Sequence, residues 1–134
     1  MINRYCSIKF IAALFLVSLM FSSKPTYANI IEYKTISPQE VKSELNNPSS
    51  KMLLLDIRTP EEYKEGHIGK SINLPVEILD EEFPILKVKK DSFIVLYCQS
   101  GIRTRKGVEI LEKLGYSNVY SLGGIKDWPY SIEK

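Results

Sequence analysis

The longest apolar run in this chain, Phe10–Phe21, is broken only by Ser18, and every later run is shorter and set off by polar, capping or turn residues. Past residue 29 two patterns alternate. Met52–Ile57 and Phe93–Tyr97 are short, nearly continuous apolar runs that read as strands buried on both faces. Between such runs lie helix starts. Ser37-Pro38-Gln39-Glu40 and Thr59-Pro60-Glu61-Glu62 each combine a capping hydroxyl, a proline at the first helical position and a glutamate at the third. The pattern predicts an edge strand over Ile30–Ile36, a helix from Ser37 to about Leu45, a strand over Met52–Ile57 and a short helix ending at Gly66. A brief strand within Ser71–Val76 and a weak helical segment over Glu77–Phe83 follow. After the strand Phe93–Tyr97 comes a helix over Arg103–Leu114, with Val108, Ile110, Leu111 and Leu114 on its apolar side and Gly115 closing it. Val119–Leu122 is the last expected strand, and Gly123-Gly124 is expected to turn the chain into a terminal stretch containing Trp128.

Strands alternating with helices define an α/β class: one domain with a mainly parallel central sheet and helices on both faces. In such sheets the functional crevice lies beyond the carboxyl ends of the strands. Cys98 stands one residue past Tyr97, the expected end of the strongest strand, so position alone makes it a candidate for chemistry.

The N-terminus sets the compartment in which that thiol is read. Arg4 and Lys9 precede the apolar run, and a breaker-rich stretch leads to Thr26-Tyr27-Ala28, the order of a secretory signal peptide cleaved after Ala28. The run is too short to span a bilayer, which takes roughly 20 apolar residues. Residues 1–28 are thus expected to be a signal and 29–134 a single domain, periplasmic or secreted, with no stable membrane insertion after cleavage. Cys6 would leave with the signal.

Charge changes with it. The whole chain carries +2. Arg4, Lys9 and Lys24 fall in the signal and no carboxylate does, so residues 29–134 hold 15 Lys/Arg against 16 Asp/Glu. That balance gives no basis for nucleic-acid binding, and Lys87-Val88-Lys89-Lys90 reads as solvated surface. The remaining 106 residues can bury one core. With Cys98 their only cysteine, no intramolecular disulfide is available, and an exported free thiol calls for an explanation. One histidine and one cysteine without paired spacing make no metal site, and no cofactor is expected.

Cys98-Gln99-Ser100-Gly101-Ile102-Arg103 runs from a strand end into a helix start. Successive backbone N–H groups in such a turn converge on a point, and the helix N-terminus adds partial positive charge there. Gly101 permits a positive φ or a close backbone approach. The field favours thiolate at Cys98, and Arg103, with Arg105 and Lys106 near it in sequence, makes the mouth electropositive. A small anion beside a sulfur nucleophile is the chemistry such a loop supports.

With these residues the chain resembles the rhodanese family of sulfurtransferases, in its small single-domain exported form. The matching stretches are Leu55-Asp56-Ile57-Arg58, Glu62-Tyr63, Gly66-His67-Ile68 and Ser71-Ile72-Asn73-Leu74-Pro75. They continue through Tyr97 to Thr104 and Gly123-Gly124-Ile125 with Trp128, covering about residues 32 to 130. The resemblance implies that Cys98 is the nucleophile that becomes a persulfide, and that Gln99, Ser100, Gly101, Ile102 and Arg103 form the loop whose amides cradle the anionic substrate. It implies an anion-binding or loop-bracing role for Arg103 and a loop-tying role for Asp56, with Arg58 beside it. It also implies a small sulfur-containing anion as donor, with a thiol or cyanide as acceptor. Two departures stand out. Gln99 occupies a position where relatives often carry arginine, and Gly69-Lys70-Ser71 replaces a segment that usually ends in glycine-alanine.

His67, the only histidine, reads as a structural turn residue, since a thiolate needs no base to begin attack. Rival readings are a cysteine phosphatase or arsenate reductase, which would use a loop one residue longer, and a thiol redox enzyme, which would need a second cysteine. A non-catalytic rhodanese-like binding module is the rival of another class. A monomer is the expected state. The short apolar run and Thr26-Tyr27-Ala28 predict that the exported protein begins at Asn29, which N-terminal sequencing checks; a chain that keeps Met1–Phe21 in a membrane fraction would overturn the assignment.

Overall fold

The capping residues read from the sequence start real helices in the computed structural model, which describes residues 34–134. The expected signal and most of the expected first strand lie outside those residues. Helix α1, Pro38–Asn46, begins at Ser37, whose side chain accepts from the Glu40 N–H while Glu40 reaches back to the Ser37 N–H. Helix α2, Pro60–Glu65, repeats the device with Thr59 and Glu62. In each case two orphan amide donors are satisfied reciprocally.

Strand β1, Leu53–Asp56, and strand β2, Ile72–Asn73, follow the expected pattern. The weak helical segment is a single turn, α3, Leu79–Glu82, continued by a 3-10 turn over Phe83–Leu86. Strand β3 spans Ile94–Cys98, helix α4 spans Ile102–Lys113 and strand β4 spans Val119–Gly124. Two boundaries differ from expectation. Cys98 is not past the strand but its last residue, paired with Gly124. Gly123 and Gly124 do not turn away but extend β4, because the register shifts between Leu96 and Tyr97: Ser121 opposes Leu96 and Gly123 opposes Tyr97, leaving Leu122 as the extra residue. Of the expected first strand, the described part makes one parallel bridge, Thr35 to Ser121, on the free edge of β4.

All four strands are parallel, in the order β2-β1-β3-β4. The chain leaves β1 toward β2 on one side, and β3 returns on the other, so the switch point lies between β1 and β3. Both central strands are apolar because both faces are covered. On one face Leu55, Leu96 and Cys98 pack with Leu79 and Phe83 and with Val108 and Leu111 of α4. On the other, Leu54, Val95 and Tyr97 pack with Val41 of α1 and with Ile68 and Trp128. Trp128 meets Tyr130 edge-on, so the terminal aromatics are packing residues.

The Gly69-Lys70-Ser71 departure has a visible consequence. Lys70 holds a left-handed backbone, φ +63°, where a side chain is tolerated at a cost of roughly 1–2 kcal/mol. Its ammonium donates to the Leu45 carbonyl at 2.6 Å, at the carboxyl end of α1, where a cation is favoured. Lys90 of the basic run likewise donates to the Leu114 carbonyl at 2.7 Å and lies over the Tyr116 ring.

Val41 is the one buried residue of α1. Val41→Ala removes two methyl groups from a filled site and is expected to cost about 2 kcal/mol, read as a lower urea midpoint with an unchanged slope.

Candidate active site

The carboxyl edge of the sheet carries Asp56, Asn73, Cys98 and Gly124 on four successive strand ends. Parallel pairing sets them side by side: Asp56 opposes Tyr97 on one side and Asn73 on the other, and Cys98 opposes Gly124. Cys98 is 1% exposed and packs in the apolar cluster at the base of its loop. The Gly101 N–H donates to Cys98 Sγ at 3.0 Å, closing the turn from strand to helix over the sulfur. Gly101 has φ +91° and caps α4, whose first turn contains no carboxylate.

The backbone of this loop lies directly on β4. A Cβ at Gly124 would come within 2.6 Å of the Gln99 carbonyl oxygen and 2.8 Å of Ser100 Cα, so only glycine permits the approach. Gln99 and Ser100 are exposed, and Ile102 is 81% exposed on the outer side of the loop. Depressions flank the loop. One of about 360 Å³ is lined by Arg58, Gln99, Trp128 and Tyr130 among others, and one of about 380 Å³ by Ile36, Ser100, Gly101 and Leu122 among others.

Two arginines brace the loop from outside. Arg58 is 3% exposed and Asp56 is fully buried, and they pair at 2.6 Å. The same guanidinium donates to the Gly66 carbonyl at 2.7 Å and to Gln99 Oε1 at 3.2 Å. Burial opposes the charge on Arg58, but the hydrogen bond and the charge of Asp56 outweigh it and raise its pKa above the ordinary value. The Asp56 carboxylate also accepts the Arg58 backbone N–H, and the Asn73 amide spans the Asp56 and Arg58 carbonyls. Gln99 therefore joins the loop to this buried pair.

Arg103 holds Glu62 with both terminal nitrogens, at 2.8 and 2.7 Å. Two of its five N–H donors hold that carboxylate, a bracing contact between α2 and the loop. Its pKa is raised, chiefly by that hydrogen bond, and Cys98 adds to the effect. The same bond holds Glu62 down to about 2. Glu62 thus caps α2 and grips α4 with one carboxylate.

His67 lies apart from the thiol's contacts. Its Nδ1 lies 3.0 Å from the Tyr63 carbonyl, its ring stacks on Tyr63, and its backbone pairs with Glu133. These contacts fasten the C-terminal segment. Sequence reasoning did not anticipate Glu62 as the partner of Arg103, nor Tyr97, whose hydroxyl accepts the Ile68 N–H and whose pKa is raised, mainly by burial. It also passed over Thr104 and Ser121, whose hydroxyls are buried behind the loop. Glu62 had a signal in its capping position; the others are polar residues inside regular elements, and their partners are distant in sequence.

These features define a small α/β domain with a cysteine loop at the carboxyl edge of a parallel sheet. Residues 37–130 match the rhodanese-like domain model. The chain belongs to the rhodanese-like domain family. It is 33% identical over 73 residues to the thiosulfate sulfurtransferase PspE of Escherichia coli, covering 54% of this chain and 70% of that protein. It is 31% identical over 101 residues to the uncharacterized protein YqhL of Bacillus subtilis, covering 75% of each. A tRNA uridine(34) hydroxylase of Buchnera aphidicola is 36% identical over 66% of this chain, which spans only 29% of that larger protein. Among solved structures, a rhodanese with anions from E. coli superposes with TM-score 0.58 at 30% identity, covering 62% of this chain and 98% of its own. A human single-domain sulfurtransferase gives 0.64 at 28%, covering 72% and 97%.

Because the folded pKa of Glu62 lies below its ordinary value of 4.5, its stabilisation is complete above that pH and is lost as pH falls toward 2. Glu62→Gln is expected to lower the urea midpoint near neutrality and to flatten the decline across that acid window. Equal midpoints and slopes for the two proteins would show that the pair contributes nothing.

Proposed function

We propose that this protein is an exported sulfurtransferase that moves sulfane sulfur from thiosulfate, or a similar donor, through a persulfide on Cys98 to a thiol or cyanide. The observation that carries the proposal is the Gly101 N–H on Cys98 Sγ, at the junction of a parallel strand and a helix N-terminus. Kinship with a thiosulfate sulfurtransferase supports the choice of donor.

In the first half-reaction the Cys98 thiolate attacks the outer sulfur of thiosulfate. A bond forms between the two sulfurs, the original sulfur–sulfur bond breaks, and its electron pair leaves on sulfite. Cys98 then carries a persulfide anion. In the second half-reaction cyanide or an acceptor thiolate attacks the terminal sulfur, and the bond pair returns to Cys98 as thiolate. Charge balances in both steps, and one transfer is divided into two easier ones. The loop's N–H donors hold the negative charge on the travelling sulfur, the role that oriented donors play in an oxyanion hole.

The length of the loop argues against the phosphatase rival: four residues separate Cys98 from Arg103, one fewer than a phosphate-embracing loop uses. The sequence-based reading of residues 1–28 as a cleaved signal supports work in the periplasm or outside the cell by the domain formed by 29–134.

Wild-type protein exposed to thiosulfate is expected to gain the mass of one sulfur atom, reversibly with cyanide, while Cys98→Ser gains none. Because Cys98 is buried, the serine hydroxyl has to find an acceptor, and a loss of about 1–3 kcal/mol is expected if it does not. Circular dichroism confirms that the variant is folded. If the wild type gained nothing from any sulfane donor while its thiol remained reduced, or if Cys98→Ser gained the same mass, the proposal would fail.

A further inference from the structure

Behind the loop, on the side away from solvent, two buried hydroxyls form a directed chain. The Gly123 N–H donates to Ser121 Oγ at 3.0 Å, Ser121 donates to Thr104 Oγ1 at 2.9 Å, and Thr104 donates to the Gly101 carbonyl at 2.6 Å. Thr104 is fully buried and Ser121 is 2% exposed. The chain starts beside the extra residue of β4 and ends on the residue whose N–H meets Cys98 Sγ.

We infer that Thr104 and Ser121 are positioning residues for sulfur transfer: together they fix the Gly101–Ile102 peptide so that its N–H faces the site opposite the held carbonyl. The inference rests on the sulfurtransferase reading of the same loop. Its geometry is elementary. A peptide unit is planar, with N–H and C=O pointing in opposite directions, so holding the Gly101 carbonyl toward Thr104 directs the Ile102 N–H the other way. Ile102 is the first residue of α4, where an N–H has no intrahelical acceptor and is free to bind an anion.

The restraint adds to the first intrahelical bond of α4, which the Gly101 carbonyl accepts as N-cap. Gly101, at φ +91°, has no Cβ to oppose rotation of the peptide that follows it. Gln99, Ser100 and Ile102 are exposed, and the Ile102 side chain reaches no core. A flipped 101–102 peptide would turn a carbonyl oxygen toward an incoming anion and a donor away from it. The Thr104 hydrogen bond is lost in that flip, and the Ser121 bond orients Thr104 to make it. The braces at Arg58 and Arg103 act on side chains and do not touch this peptide.

The test compares wild type, Thr104→Val, Thr104→Ser and Ser121→Ala by the single-turnover rate of sulfur loading from thiosulfate, with urea unfolding on each. Thr104→Val is expected to load roughly 30-fold more slowly, Ser121→Ala about fivefold and Thr104→Ser within about twofold, in the range that misplacing a reacting geometry costs. A second readout needs no turnover: in the reduced proteins, titration with sulfate is followed at the Gly101 and Ile102 amide resonances. The Ile102 response is expected in wild type and Thr104→Ser and lost in Thr104→Val.

Folded Thr104→Val that loads like wild type, or Thr104→Ser as slow as Thr104→Val, would overturn the inference. If Thr104→Val does not fold, Ser121→Ala decides by the same two measurements: unchanged loading and sulfate response would overturn it. A wild type that takes no sulfur sinks the functional proposal, and the sulfate titration then judges the relay alone, with an Ile102 response equal in all variants counting against it.

Discussion

A buried ion pair organises this molecule. Asp56 and Arg58 are both withdrawn from solvent, an arrangement that is costly unless every remaining donor and acceptor is used. Here they are used on behalf of three separate segments. The guanidinium takes the Gly66 carbonyl at the end of α2 and the Gln99 side chain in the cysteine loop, while Asn73 ties β2 to the Asp56 and Arg58 carbonyls. Segments far apart in sequence are thereby held at one edge of the sheet, around the loop that contains Cys98.

The loop itself is restrained from three directions by different physics. Arg58 reaches Gln99 from one side, and the Glu62–Arg103 fork links α2 to the first turn of α4 on another. From behind, the Ser121–Thr104 chain fixes a carbonyl, and Gly124 lets the loop backbone rest on β4 where any side chain would collide. A loop with exposed residues at its tip can thus be rigid, because its order comes from backbone contacts and buried hydroxyls, with none required of its own side chains. Preorganised donors of this kind need no reorganisation when negative charge develops beside them.

Cys98 combines two properties that a sequence pattern treats as alternatives. It is a core residue, packed with Leu55, Leu96 and Val108, and it is also the residue at which the strand ends and the turn closed by the Gly101 N–H begins. Its extra residue of strand length follows from the β4 irregularity, which brings Gly124 opposite the cysteine.

Much of the architecture was determined by the sequence alone. Capping grammar at Ser37 and Thr59, the apolar runs of β1 and β3 and the apolar stripe of α4 are local signals, satisfied by residues within a few positions of one another. The cysteine loop was legible for the same reason, since a strand end, a glycine and a helix start are contiguous. The partner of Arg103 was not: the carboxylate that its guanidinium meets belongs to Glu62, 41 residues away. The joining of Gln99 to Arg58, the extension of β4 through Gly124 and the hydroxyl chain from Ser121 to Gly101 likewise depend on strand register and on the packing of α4 against the sheet. Those are long-range contacts between residues whose identities, read singly, fit any polar or small position, so only the tertiary structure decides which partners they meet.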